Sequence, residues 1–389
     1  MNNLREKWAQ LLASADLQAI VAQILDHPTV KILDWQIKKL TGGAAEYTGR
    51  GLGIYRLTGL ANYDDLNAPW SVILKVSGPS DNASNNDPTM PEYWKREVLA
   101  YQSGVLKHLP DGVIAPHCYA IQELSDGECR LWLEDIHEDQ PSWTMEQHEL
   151  VARHLGQFNG TYLAGHPLPE YESWMLPGRT HQWVEMNPPD KEYLLRFSET
   201  DLGSRWLSEQ SIERIVALWE MRQPLLAALD RLPTCFCHHD AFRRNMMLRK
   251  TESGTTETVA IDWSYTGYGK VGQEIGITTA TNLFFMEIAA KHAKELDNTI
   301  FRGYCAGLRD AGWQGDLQLA RFGYTVTAAL TSGVAFTVII ANIMNEPAGI
   351  AMGEVIIGHP TDDIMKQYGE LQPFLLDLGD EALALLPLI

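Results

Sequence analysis

The residues best suited to chemistry form one short run, His238-His239-Asp240-Ala241-Phe242-Arg243-Arg244-Asn245, followed by MMLRK, the turn TESGTTE, and TVAIDW, which ends at Asp262-Trp263. The two runs flanking the turn alternate apolar and polar residues as hairpin strands do. Asn245 then enters the hairpin and Asp262 leaves it. Antiparallel pairing sets the start of one strand beside the end of the next, so both residues belong at one end of the ladder, with Asp240 a few residues upstream. Carboxylate and amide oxygens converging in this way are hard ligands of the kind Mg²⁺ prefers, and a carboxylate beside such a metal can accept a hydroxyl proton. An alternative stays open: His238, His239 and Asp240 could hold a transition metal for hydrolysis, although no third imidazole or thiolate sits at ligand spacing nearby.

The pattern H-x-D-x-x-x-x-N followed by I-D-W resembles the aminoglycoside phosphotransferase family, whose members share the protein-kinase-like bilobal fold. The resemblance implies that Asp240 positions and deprotonates an acceptor hydroxyl, while Asn245 and Asp262 hold Mg²⁺ on the phosphates of ATP. It further implies that Lys75, in the strand WSVILKV, contacts the nucleotide phosphates and pairs with Glu97 of the following helix, with Glu92 as a nearby competitor. Arg243 is the basic residue expected to reach the transferred phosphate, with a solvated Arg243-Arg244 pair as the other reading. Adenine contacts are expected near Leu133, in LWLED, with an edge strand as the plain alternative. The glycines Gly42 and Gly43 are expected in the phosphate loop, although neither TGG nor GRGLG reproduces the kinase G-x-G-x-x-G. His239 stands where most relatives have Gly. Glu274 stands where many have Asp, and is expected to anchor the second lobe.

Around these residues the chain predicts an α+β architecture: a β-rich N-terminal lobe with one main helix over 1–136, and a mostly helical lobe over 137–389 that carries the catalytic loop, metal site and acceptor pocket. Apolar residues at helical spacing between Leu4 and Ile24 predict a leading amphipathic helix. WQIKKL, GIYRLTGL and WSVILKV predict three antiparallel strands, and SGPSDNASNNDPTMP an exposed loop. A helix is predicted over 92–109, then strands over 118–122 and 129–133, then long helices in MEQHELVARHLGQFNGTYLAG and SIERIVALWEMRQPLLAALDRL. Trp174, Trp183, Glu185 and Trp206 are candidate liners of the acceptor pocket, with core packing the competing explanation.

At 389 residues the chain is long enough for two lobes and so for a cleft. Its formal net charge of −19 argues against nucleic acid as a partner, which asks for clustered Lys and Arg. Five cysteines form neither a disulfide framework nor paired metal knuckles. The opening MNNLREKWAQ lacks the apolar run of a secretory leader, which points to the cytoplasm. The apolar stretch 324–344 is long enough to cross a bilayer, but its scattered Thr, Ser and Asn and its poor basic flanks favour a buried helix over a membrane partner. The sequence therefore predicts MgATP-dependent phosphorylation of a small-molecule hydroxyl. The rivals are a kinase-like module that binds nucleotide without catalysis and the metal-dependent hydrolase already named. Acceptor identity, ATP over GTP, antibiotic resistance and oligomeric state are not legible in it.

Overall fold

The computed structural model describes residues 14–40, 51–138 and 142–389. The chain divides into two compact units, residues 1–107 with 115–137, and residues 108–114 with 138–389.

The first unit is built on an antiparallel sheet. Strands β1 (Lys31–Leu40), β2 (Gly51–Tyr63), β3 (Leu66–Ser77), β5 (Cys118–Glu123) and β6 (Cys129–Glu134) lie in the order β1-β2-β3-β6-β5. Along β3, Trp70, Val72, Leu74 and Val76 are buried, whereas Ser71, Ile73, Lys75 and Ser77 are only partly so. This period of two sends the first set to one face, where they join Leu17, Ile20 and Val21 of helix α1 (Ser14–Ile24) in a single apolar cluster. Lys75 is thereby sent to the opposite face. The predicted leading helix is described only from Ser14 onward, and its earlier residues, together with Gly42 and Gly43, lie outside the described residues.

The helix predicted over 92–109 is confined to α2 (Arg96–Gln102), followed by a 3₁₀ turn at Val105–Lys107. Gly104, at φ 79°, takes the left-handed conformation that ends a helix. Ahead of α2, Arg96 is fully buried and donates to the carbonyls of Pro88, Met90 and Pro91. The loop predicted to be exposed is therefore folded onto a guanidinium, with Asn85 of its 3₁₀ turn buried as well.

In the second unit, β7 (Thr234–Cys237) pairs antiparallel with β10 (Gly267–Lys270), and the hairpin β8 (Met246–Lys250) and β9 (Thr256–Ala260) is extended by β4 (Val113–Ile114), which runs parallel to β9. That pairing is why residues 108–114 group with this unit rather than with the N-terminal one. The rest is helical: α3 (Met145–Leu163), α4 (Arg179–Met186), α5 (Lys191–Ser198), α6 (Glu209–Glu220), α7 (Arg222–Asp230), α8 (Gln273–Phe284), α9 (Ala293–Asp310), α10 (Leu317–Thr327), α11 (Phe336–Met344), α12 (Pro347–Ile357) and α13 (Thr361–Leu385). The single helix predicted from Ser211 is two, α6 and α7, because Pro224 lacks the N–H that a continuous helix would use.

Among the described residues, the run Leu317–Met344 is long and apolar enough to cross a membrane, and 72% of its most apolar window is buried inside the protein. Its middle, Ala328–Ala335, is a π-helix in which every residue is buried. Such wide turns are rare and re-aim the side chains that follow. Here the next residue is Phe336, whose ring stacks on Trp183 of α4 at 5.1 Å and 9°.

Candidate active site

The hairpin register delivers the convergence expected from sequence. Met246 pairs with Ala260, and the Ile261 amide donates to the Asn245 carbonyl at 2.9 Å, so Asn245 and Asp262 flank the same end of the β8–β9 ladder. Asn245 Nδ2 donates to the Asp240 carbonyl at 3.0 Å and to Asp240 Oδ2 at 2.7 Å. Both partners are acceptors, which fixes the amide orientation and leaves Oδ1 as the acceptor atom of the Asn245 side chain. Asp262 adopts φ 61°, a left-handed conformation uncommon for a residue with a side chain.

The run from His238 to Asn245 is held from behind by Glu274, near the start of α8. Its carboxylate is fully buried and accepts from the His238 and His239 amides, both at 2.8 Å. Burial pushes this carboxyl up to about 7, with the loop amides and the side chains of Cys237 and Asn159 pulling the other way. His239, at φ 64°, makes the sharp turn for which Gly would be the easy choice, and its Nε2 donates to the Tyr268 carbonyl at 2.9 Å.

His238 is fully occupied by the backbone. Its Nδ1 accepts from the Asp240 amide at 3.2 Å, so Nε2 carries the proton that it donates to the Ile261 carbonyl at 2.9 Å. With both nitrogens engaged it has no lone pair for a metal. Among the described residues no group of three or more His, Cys, Asp or Glu is placed to hold one. The hydrolase reading built on His238, His239 and Asp240 therefore fails, because these histidines shape the loop.

Arg243 is neither solvated nor loosely held. Its guanidinium makes a 2.7 Å ion pair with Glu138, both side chains being about nine-tenths buried, and it lies over the Trp143 ring at 4.6 Å. Glu138 in turn accepts from Trp143 Nε1 and the Leu248 amide. Arg244 donates to Glu287 and to the carbonyls of Phe285, Ile356 and Ile357, closing the C-terminal end of α12. The solvated-pair reading is thus corrected: both arginines act as struts.

A residue unmarked by any motif also binds the Asp240 carboxylate. Arg179, in the first turn of α4, donates through Nη1 to Asp240 Oδ1 at 3.0 Å and also to the His239 carbonyl. Chain pairing brings it there: the Leu176 amide and carbonyl bond to Thr266 and Tyr268 beside β10. The only sequence signal is an arginine directly after Gly178, which takes a positive φ of 139° ahead of α4.

In the first unit, Lys75 Nζ donates to both oxygens of Glu97, at 2.8 and 2.9 Å. Glu97, rather than Glu92, is the partner, because α2 places it against the face of β3 that carries Lys75. Leu133 lies within an internal strand, paired with Ile73 on one side and Cys118 on the other, so the edge-strand alternative does not hold. Backbone first leaves that ladder after Glu134, where Asp135 is clamped by Arg56.

Of the candidate pocket liners, Trp174 and Trp206 are core residues, the latter donating to Gln372, and Glu185 accepts from Arg222 and Gln223. Trp183 is linked to Asp240 through Arg179, whose guanidinium carbon lies 4.8 Å from its ring.

Among solved structures, an amicoumacin kinase in complex with AMP-PNP and Ca²⁺ is similar at 12% identity and a TM-score of 0.47, over 91% of this chain and 97% of its own. An ethanolamine kinase of Plasmodium vivax gives 13% and 0.43, over 83% and 80%. A choline/ethanolamine kinase family protein of Mesorhizobium loti gives 14% and 0.41, over 92% and 99%. No curated protein sequence matches the chain. The model of the phosphotransferase enzyme family matches residues 89–315, which include Glu97 and the whole run from Asp240 to Asp262 but begin after Lys75. With that match spanning more than half of its length, the chain belongs to the phosphotransferase enzyme family.

Proposed function

We propose that the protein transfers the γ-phosphoryl group of MgATP to a hydroxyl of a small molecule. The observation that carries this reading is the Asp240 carboxylate, held by Asn245 at 2.7 Å at the same ladder end as Asp262. One carboxylate and one amide oxygen are too few ligands to retain a transition metal. They suit Mg²⁺, which keeps waters and takes its remaining ligands from phosphate. Asn245 and Asp262 would hold that ion, and when bound it neutralises phosphate charge. Asp240 orients the acceptor hydroxyl and takes its proton. The fixed Asn245 and Arg179 contacts keep its carboxylate from rotating, so its contribution is positional.

The sheet unit offers the Lys75 ammonium, held in place by Glu97, for the nucleotide phosphates, and the backbone after Leu133 for the adenine edge. Arg243, tied to Glu138, serves this reading better as a support of the loop than as a phosphate ligand. The family resemblance does not choose among antibiotics, sugars and amino alcohols, since one fold serves many acceptors.

A thermal-shift titration with ATP, with and without Mg²⁺, on wild type and Asp262→Ala tests the reading without a known acceptor. A ligand that binds the native state raises its apparent stability by mass action, about 2.7 kcal/mol at a hundredfold excess over Kd. A Mg²⁺-dependent shift in wild type that disappears in the variant is expected. A wild type unmoved by nucleotide in any condition overturns it.

A further inference from the structure

Arg179 is 6% exposed, yet it uses little of its hydrogen-bonding capacity. Nη1 donates its two protons to the His239 carbonyl and to Asp240 Oδ1. Nε and Nη2, which carry the other three N–H groups, make no hydrogen bond among the described residues. The central carbon lies 4.1 Å from the Tyr265 ring and 4.8 Å from the Trp183 ring, so aromatic surface covers the guanidinium plane and its edge is the polar part left. Trp183 is fixed by Phe336 behind it, and the first turn of α4 by the bond from Gln273 to Thr180, at 2.8 Å. Neither Nε nor Nη2 is fully buried, so this edge of an otherwise buried and locked cation is where the remaining solvent contact lies, and its three N–H groups are open to an incoming acceptor. Oxyanions are the partners that match a guanidinium edge.

We propose that the free edge of Arg179 is an oxyanion-binding position beside Asp240, filled during turnover by an anionic oxygen of the reactants. This deepens the kinase reading and rests on it. Two sources share the chemistry: the phosphoryl group being transferred, or a carboxylate or phosphate on the acceptor near its reacting hydroxyl. In either case Arg179 opposes an acceptor carrying an ammonium at that point, since two like charges a few ångströms apart in a partly desolvated site repel strongly.

The test uses the full chain, Arg179→Met and Arg179→Lys, the second keeping the charge without the planar fork. Affinities for Mg²⁺-ADP and Mg²⁺-AMP-PNP are measured by calorimetry, and kcat and KM on hydroxy carboxylates, neutral polyols and amino alcohols. If the acceptor supplies the oxyanion, wild type prefers hydroxy carboxylates. Arg179→Met then raises their KM about tenfold or more, with Arg179→Lys in between and AMP-PNP affinity unchanged. If the phosphoryl group supplies it, AMP-PNP binding weakens about tenfold while ADP binding holds, and kcat falls for every acceptor. Variants that keep both nucleotide affinities and every kcat/KM within about twofold overturn the proposal, as does a wild type that prefers amino alcohols. A wild type that binds neither nucleotide overturns the kinase reading itself, and so separates that failure from this one.

Discussion

Lys75 and Glu97 allow the sharpest quantitative test. The ammonium sits 2.8 and 2.9 Å from the two carboxylate oxygens, and the side chains are 15% and 11% exposed. At an effective dielectric of about 20, opposite charges with centres about 4 Å apart attract by roughly 4 kcal/mol, and desolvation of the two ions offsets much of it. The asymmetry is more informative than the net value. Removing one partner of a fully buried pair strands the other, at about 3–5 kcal/mol; here each ion keeps some water, so Glu97→Gln and Lys75→Met should each cost about 2 kcal/mol. The double variant should lose less than the sum, with a coupling of roughly 1–2 kcal/mol. Urea unfolding of the four proteins, repeated with saturating MgATP, gives the assay. Nucleotide phosphates should relieve the stranded ammonium in Glu97→Gln, so that this variant gains more from MgATP than Lys75→Met does. Strictly additive losses, or full nucleotide stabilisation of Lys75→Met, would refute the reasoning.

Two further outcomes follow from the second unit. Asp240→Asn should lower kcat by about 10²- to 10⁴-fold and leave nucleotide affinity unchanged, as measured by ADP release and calorimetry; an active variant would remove Asp240 from the chemistry. Burial raises the Glu274 carboxyl from its ordinary 4.5 to about 7, so across that interval the native protein holds a proton that the unfolded chain releases. Stability should therefore fall as pH rises from about 4.5 to about 7, and Glu274→Gln, which has no proton to lose, should flatten the slope. Identical slopes for both proteins in urea midpoints against pH would contradict this.

The parts of the site legible in sequence are those whose geometry is local. A hairpin with a short turn places Asn245 and Asp262 together through strand pairing alone, and the alternation of β3 puts Lys75 on the face away from α1. Arg179 was invisible because 61 residues separate it from Asp240, and the link runs through a bridge at Leu176 and Gly267 that no periodicity announces. Glu138 was hidden for a different reason. Its acidic surroundings, EDIHEDQP, read as a solvated loop, and only packing against Trp143 and Leu248 turns it into a buried acceptor for Arg243. The same override explains the ordered loop before α2, where the buried Arg96 collects three carbonyls that polar composition alone would leave to water.

The density of contacts on the run from His238 to Arg244 has a consequence for mechanism. Both His239 and Asp262 hold left-handed backbone conformations, at about 1–3 kcal/mol each, and such strain persists only where the surroundings over-determine it. The surroundings here are Glu274 on two amides, Arg179 on the His239 carbonyl and on Asp240, Asn282 on the Arg243 amide, and Arg244 anchored at four points. The tethers are spread over several elements, with Glu274 and Asn282 on α8, Arg179 on α4 and the Ile356 and Ile357 carbonyls at the end of α12, so deleting one leaves the rest in place and the loop stays folded. The carboxylate of Asp240 would still lose part of its alignment. In phosphoryl transfer, where the protein contributes position and charge rather than covalent chemistry, misalignment of that kind lowers turnover before it lowers stability.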